Sequence, residues 1–261
     1  MLINFTFQKP NKPKIELSMV KATRTTGHQD RVTKISSSLS VLKAAIIFGD
    51  LDHQDCSVVS ELNNMLGFME RGSGDSYLDD GFYSISLLSK KHIYQYEISV
   101  KDYKVIEEEL KRSNLNGNAT ITVFNRNSGK FLKSIFPKNR KTEHNLKYIM
   151  EYAKKQGRPA LSEISKIGNL TINNPYIFIS RYNSGHPLSN INDLKNRLQD
   201  HGQIVAESHC TQFLDFSLLR KDEIWFLDEK LYSLAEFKDV RTDLNLESAY
   251  LIGRFGAIPK L

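Results

Sequence analysis

Between Gly49 and Ser57 the chain carries Asp50, Asp52, His53, Asp55 and Cys56, set between an apolar run, Ala44 to Phe48, and a helix-spaced one. Strand, glycine, polar loop and helix is the layout of a phosphate-binding loop, whose backbone N–H groups and lysine receive phosphate. The side chains contradict the layout. Counted from Gly49, Gln54 stands at the second glycine position, Asp55 at the lysine position and Cys56 at the hydroxyl position, with Ser57 next. A carboxylate beside a triphosphate in a low-dielectric site is repelled by several kcal/mol. The same carboxylates offer hard oxygen ligands for Mg²⁺ or Ca²⁺, but without the spacing of a calcium loop or its closing Glu. A solvated acidic loop is the simpler reading, and no metal is expected.

Other reactive side chains resolve into structural roles. Ser208, His209 and Asp215 bring a hydroxyl, an imidazole and a carboxylate close in sequence, but no nucleophile elbow surrounds the serine. His209 then serves as a hydrogen-bonding residue at a strand end. His186, ahead of Pro187, suits a helix entry. Trp225 lies in a strand pattern and belongs to a core. Glu107, Glu108 and Glu109 read as solvated side chains of an antiparallel region. Arg254 stands apart: a charge inside a Gly-Arg-Phe-Gly turn suits an interface or a phosphate as well as the surface. Cys56 and Cys210 lack the spacing of a zinc site or a disulfide framework.

The chain of 261 residues has a net charge of +6, with a denser cationic patch at Lys138, Arg140 and Lys141. That permits contact with nucleic acid without demanding it. No apolar run is long enough to cross a membrane. The opening residues lack the apolar core of a signal peptide, so the expected location is cytoplasmic.

The elements that must position these residues follow from periodicity. Ile3, Phe5 and Phe7 alternate with polar neighbours as in a strand, and Ile15 to Val20 returns to make an N-terminal hairpin. Lys21 to Ser38 reads as loop with weak strand character. Val58, Val59, Leu62, Met65, Leu66 and Met69 recur at helical spacing. From Phe82 to Phe136 alternation predicts an antiparallel meander of about four strands, with turns at Lys90-Lys91 and Asn116-Gly117-Asn118. Thr142 is placed to cap a helix carrying Leu146, Ile149, Met150 and Ala153 on one face. Tyr176 to Ile179, Gln203 to Ala206, Glu223 to Leu227 and Lys230 to Leu234 read as strands. Helices are predicted from Pro187 to Leu198 and from Phe213 to Leu219. Continuous apolar strands alternating with helices predict a parallel sheet in this C-terminal part.

One family shares these features. Glu207-Ser208-His209-Cys210-Thr211-Gln212-Phe213-Leu214-Asp215, Leu218 to Phe226, Leu231-Tyr232-Ser233-Leu234, Phe237-Lys238, Arg241-Thr242-Asp243 and Tyr250 to Pro259 resemble the end of the bacterial AAA-type, ABC/SMC-like ATPases. That group is associated with abortive infection and phage defence and is related to the ATPase part of overcoming-lysogenisation nucleases. The resemblance reaches Phe5 to Val20, the Val41 stretch and the Tyr94 to Asn125 meander in the same order, around a middle shorter than in typical members. It implies an ABC-like head that dimerises around ATP. Residue by residue it also implies loss. The P-loop fails at Gln54, Asp55 and Cys56, and the Walker B strand is followed by Ser180-Arg181 instead of Asp-Glu. Asn183-Ser184-Gly185-His186-Pro187-Leu188 resembles the D-loop, and His209 matches the switch histidine.

The expected fold is therefore α/β, a P-loop NTPase (ABC-head-like) core with an antiparallel β-meander subdomain. Residues 1–81 hold the N-terminal hairpin and the degenerate P-loop half, 82–137 the β subdomain, and 138–261 a helical connection and the C-terminal half. The expected function is that of a pseudo-ATPase, a regulatory or assembly subunit. Its degenerate nucleotide site is Gly49, Gln54, Asp55, Cys56, Ser57, Ser180, Arg181 and His209, and its interface candidates are Asn183, Ser184, His186 and Arg254. The expected partner is protein: a second copy, a homologous head or a neighbouring effector. No cofactor is expected. Two alternatives stay open, a basic DNA-binding or DNA-sensing module and a residual enzyme using ATP and Mg²⁺.

Overall fold

Continuous apolar runs and alternating runs build two different sheets in this chain. The computed structural model describes residues 1–49, 57–71, 78–116, 119–131, 140–167, 177–180, 188, 190–200 and 202–257. In chain order the elements begin with β1 (Leu2–Gln8), β2 (Ile15–Ser18), β3 (Val32–Lys34), β4 (Ser40–Leu42), β5 (Ala44–Gly49) and α1 (Val58–Arg71). There follow β6 (Gly81–Ser89), β7 (His92–Lys101), β8 (Lys104–Asn114), β9 (Ile121–Asn125), β10 (Lys130–Phe131), α2 (Arg140–Gln156) and α3 (Leu161–Ile167). The chain continues with β11 (Ile177–Ser180), α4 (Ile191–Asp200), β12 (Gln203–Glu207), β13 (Ile224–Leu227), β14 (Leu231–Ser233) and α5 (Leu246–Leu251). It divides into two compact units: Met1, Ile15–Ser60 and Tyr176–Leu261 form the first, and Leu2–Lys14 with Glu61–Pro175 the second.

The first unit holds a five-stranded sheet in the order β11-β12-β5-β13-β14. β11, β12, β5 and β13 are parallel, as the apolar runs predict, and β14 closes the edge antiparallel to β13. Every residue of β5, β12 and β13 is buried, as in parallel sheets covered on both faces. Ala44, Ile46 and Phe48 share a face with Ile204, Ala206, Ile224 and Phe226, and join Phe213, Leu219, Tyr250 and Phe255 in one core. Phe226 stacks on Phe255 with ring centroids 4.9 Å apart, and Phe48 meets Tyr250 edge-on at 6.0 Å. Trp225 is buried as predicted. The polar stretch before Val41 contributes β3, which pairs antiparallel with β4.

In the second unit the alternating runs give an antiparallel sheet with the order β10-β9-β8-β7-β6-β1. The turn at Lys90-Lys91 joins β6 to β7, with Ser89 opposite His92. Tyr83, Ile85 and Leu87 of β6 and Tyr96, Ile98 and Val100 of β7 point into the core. The meander is longer than the four strands its pattern predicts, because β10 adds an edge and β1 pairs with β6 from the far end of the chain.

The reading of Glu108 as solvated is wrong. Glu108 is buried, and its carboxylate accepts the Tyr96 hydroxyl at 2.9 Å and the N–H groups of Ala160 and Leu161 at 2.8 and 2.9 Å. Burial pushes its carboxyl above the ordinary range, against the pull of these donors and of Arg126. Arg126, buried beside it, donates to the carbonyls of Val105, Ala153 and Lys154 and so ties β8 to α2. Three local predictions also shift. α2 begins at Arg140, so Thr142 lies inside the helix instead of capping it. α4 starts at Ile191, where Asn190 Oδ1 accepts the Asp193 N–H at 2.9 Å. The stretch from Phe213 to Leu219 is no α-helix; a 3₁₀ turn spans Thr211–Phe213 instead.

Candidate functional site

In open α/β sheets ligands sit outside the carboxyl ends of the strands, where the strand order switches direction. Here β5 lies between β12 and β13, and the chain leaves β12 to cross to the far side of β5. The carboxyl ends of β5 and β12 therefore frame the candidate site.

β5 ends at Gly49, whose φ is +133°. A Cβ there would lie 2.0 Å from the carbonyl oxygen of Leu227, its neighbour on β13. Glycine is thus demanded by the approach of two strands, whatever the residues that follow do. β12 ends at Glu207, which stands beside Ile47 of β5. The chain stays in register one residue further, with the Ser208 N–H donating to the Ile47 carbonyl at 3.0 Å.

Glu207 is fully buried, and its carboxylate faces the start of α1. Ser57, also buried, caps that helix: its Oγ accepts the Ser60 N–H at 3.0 Å. The Ser57 hydroxyl donates to Glu207 Oε2 at 2.8 Å, and the Val59 N–H donates to Glu207 Oε1 at 3.3 Å. A helix N-terminus offers unpaired N–H groups and partial positive charge, which is how such ends hold phosphate. In this chain a carboxylate of its own takes that place. Chemically the arrangement gives the Ser57 hydroxyl and the Val59 N–H a buried acceptor from within the chain, which already occupies the helix end.

The structure places Ser57 against the strand that precedes His209, and Gly49 ends the strand beside it. His209 itself follows β12 and is exposed. Ser180 ends β11, opposite Ala206 of β12. Gln54, Asp55, Cys56, Arg181, Asn183, Ser184 and His186 lie outside the described residues, as do Asp50, Asp52 and His53. Among the described residues no group of three His, Cys, Asp or Glu side chains is placed to hold a metal ion. Arg254 is exposed and reaches the Asp239 carbonyl at 3.4 Å. Its neighbour Gly253, at φ +81°, ends α5 by donating its N–H to Tyr250, so the glycine before Arg254 is a helix terminator.

Glu207 is the residue that sequence reasoning missed. Its signal was present: an acidic residue closing an otherwise apolar strand, directly before Ser208-His209. The chain matches no family model, no curated protein and no solved structure.

The opposite, amino end of the sheet is held by buried charge. Arg220 donates to Asp222 at 2.9 Å and to the carbonyls of Thr25 and Gly27, while Asp222 accepts the Ala22 N–H at 3.0 Å. Arg31 lies 3.5 Å from Glu223, the last residue before β13. These contacts fasten the loop from Ala22 to Arg31 onto the start of β13. Burial pushes the Glu223 carboxyl up to about 7, against the Arg220 backbone N–H and the Arg31 charge. Among the described residues no helix is long and apolar enough to cross a membrane.

Proposed function

We propose that this chain is a degenerate ABC/SMC-like ATPase, a pseudo-ATPase that works as a regulatory or assembly subunit and docks to a protein partner without hydrolysing ATP. Supporting it is the layout around β5: parallel strands, a glycine closing the central one, a polar stretch of sequence and then the start of α1. Supporting it too is the pair of positions where catalysis would need other residues. Asp55 stands for the P-loop lysine and Ser180 for the metal-binding carboxylate, and phosphoryl transfer depends on both groups.

The observation that carries the reading is the Glu207 carboxylate on the capped end of α1. A triphosphate seated there would have to displace a side chain that is already buried and hydrogen-bonded. The sheet and helix are kept as scaffold, and the work passes to surfaces such as the Arg254 turn. By the family resemblance, the setting is phage defence or a mobile element.

The test is thermal denaturation with ATP-Mg²⁺ together with a phosphate-release assay. The expected result is no rise in melting temperature and no turnover. Stabilisation by ATP-Mg²⁺ that grows with concentration, or any turnover above buffer, overturns the reading in favour of the residual enzyme. Docking is read by sedimentation of the chain alone and with a homologous head or a neighbouring effector.

A further inference from the structure

In the second unit, α2 buries Leu146, Met150 and Ala153 and turns an unusual face to solvent. Tyr148 is 63% and Tyr152 46% exposed, and their rings stack one turn apart with centroids 6.2 Å apart and planes 17° from parallel. Neither ring serves the core. Beyond them the end of the helix is cationic, with Lys155 on the tyrosines' side of it. Lys154 and Lys155 occupy the last turn of α2, Arg158 follows, and all three are exposed. The side chain of Lys104 lies over Gly157 at the same end, where the Val105 N–H donates to the Gly157 carbonyl at 2.8 Å. Against these stands Glu151, the one carboxylate among the described exposed side chains of α2.

The neighbouring turn adds an independent observation. Asp102 and Tyr103 join β7 to β8 with φ of +50° and +57°. Both values suit a two-residue hairpin turn in which glycine is preferred at the second position. A bulky residue in the left-handed region is a backbone outlier, and such outliers persist where the surrounding structure holds them. Here the Tyr103 N–H donates to Asp80 Oδ1 at 3.1 Å, and the ring stands in solvent, 74% exposed, with Asp80 and Asp102 the carboxylates nearest it in the turn.

We propose that this surface binds single-stranded nucleic acid. Tyr148, Tyr152 and Tyr103 offer faces on which unpaired bases stack, and Lys104, Lys154, Lys155 and Arg158 meet the phosphates. Aromatic faces interleaved with cations complement a strand whose bases are free, and not a duplex whose bases already stack on one another. The proposal is independent of the fate of ATP in the first unit.

The test is fluorescence anisotropy of the full chain with labelled oligothymidylate and oligouridylate of about 16 nucleotides, beside a duplex of equal length. Both single strands are expected to bind more tightly than the duplex, with affinity falling as salt rises. A preference between the two measures only whether the 2′-hydroxyl is also read, and either outcome supports the surface. Replacing Tyr148 and Tyr152 together by Ala weakens binding at least about tenfold, while replacement of both by Phe preserves it. Changing Lys154 and Lys155 to Gln makes the salt dependence shallower, by about 0.7 in log–log slope for each phosphate no longer neutralised. Circular dichroism checks that the exposed positions leave the fold intact. Failure to bind either strand at low salt overturns the proposal. So does equal binding of the duplex that the Tyr-to-Ala pair leaves unchanged.

Discussion

Glu207 and Ser57, 150 positions apart in the chain, meet at 2.8 Å where the parallel sheet gives way to α1. The contact places a carboxylate on a capped helix end, and its removal has two consequences. In Glu207→Ala the Ser57 hydroxyl and the Val59 N–H lose their buried acceptor, which costs about 1–3 kcal/mol. The vacated end also becomes attractive to anions from solvent. Sulfate stabilises proteins generally, so the measurement is the difference between variant and wild type in sulfate against chloride at matched ionic strength. The variant's melting temperature is expected to rise more. Equal responses would show that Glu207 does not occupy an anion site.

A second prediction concerns Gly49. With its φ at +133° and the Leu227 carbonyl oxygen 2.0 Å from a would-be Cβ, Gly49→Ala must push β5 and β13 apart. Overpacking of this kind costs about 1–3 kcal/mol. Urea denaturation of the variant reads this as a lowered midpoint. A neutral substitution would show that the approach of the two strands does not demand glycine at this position.

Much of the fold was legible because burial and periodicity are coupled. β5 and β13 are apolar throughout, and β12 is apolar between its polar ends Gln203 and Glu207, as a sheet covered on both faces demands. The β6–β7 hairpin alternates because one of its faces is buried. Glu108 escaped because periodicity cannot foresee a partner: the N–H groups of Ala160 and Leu161 arrive from more than fifty residues away to satisfy it. Glu207 escaped for the same reason, since only the folded chain brings it to Ser57. Gly49 was legible as a glycine that mattered, but its physical reason lies in a strand that pairs with it through tertiary structure.

A third prediction follows from Glu223. Burial raises its carboxyl from an ordinary 4.5 to about 7, so the folded chain holds the proton more tightly than the unfolded one. The stability contributed by protonation is full below the unfolded value and is lost as pH rises through the folded one. The span corresponds to about 3 kcal/mol. Arg31, Arg220 and Asp222 face the group and set its charge environment. Glu223→Gln removes this titration. Its unfolding free energy, measured by urea from about pH 5 to about pH 8, is expected to gain on the wild type by up to about 3 kcal/mol. A constant difference across that range would mean that Glu223 titrates as an exposed carboxylate does.

The last prediction separates strain kept for function from strain that is merely tolerated. Tyr103, at φ +57°, occupies a turn position where a side chain costs about 1–2 kcal/mol relative to glycine. Its ring, 74% exposed, recovers little of that by burial. Tyr103→Gly creates an Asp-Gly turn of the kind hairpins prefer and is expected to raise the unfolding free energy by about 1 kcal/mol. If the ring is a base-stacking platform, the same variant binds oligothymidylate more weakly. Greater stability with weaker binding identifies a residue retained for its ligand. Lower stability would instead show that the ring packs against its surroundings and that the turn is not strained. Greater stability with unchanged binding would remove Tyr103 from the proposed surface and leave Tyr148 and Tyr152 to carry it.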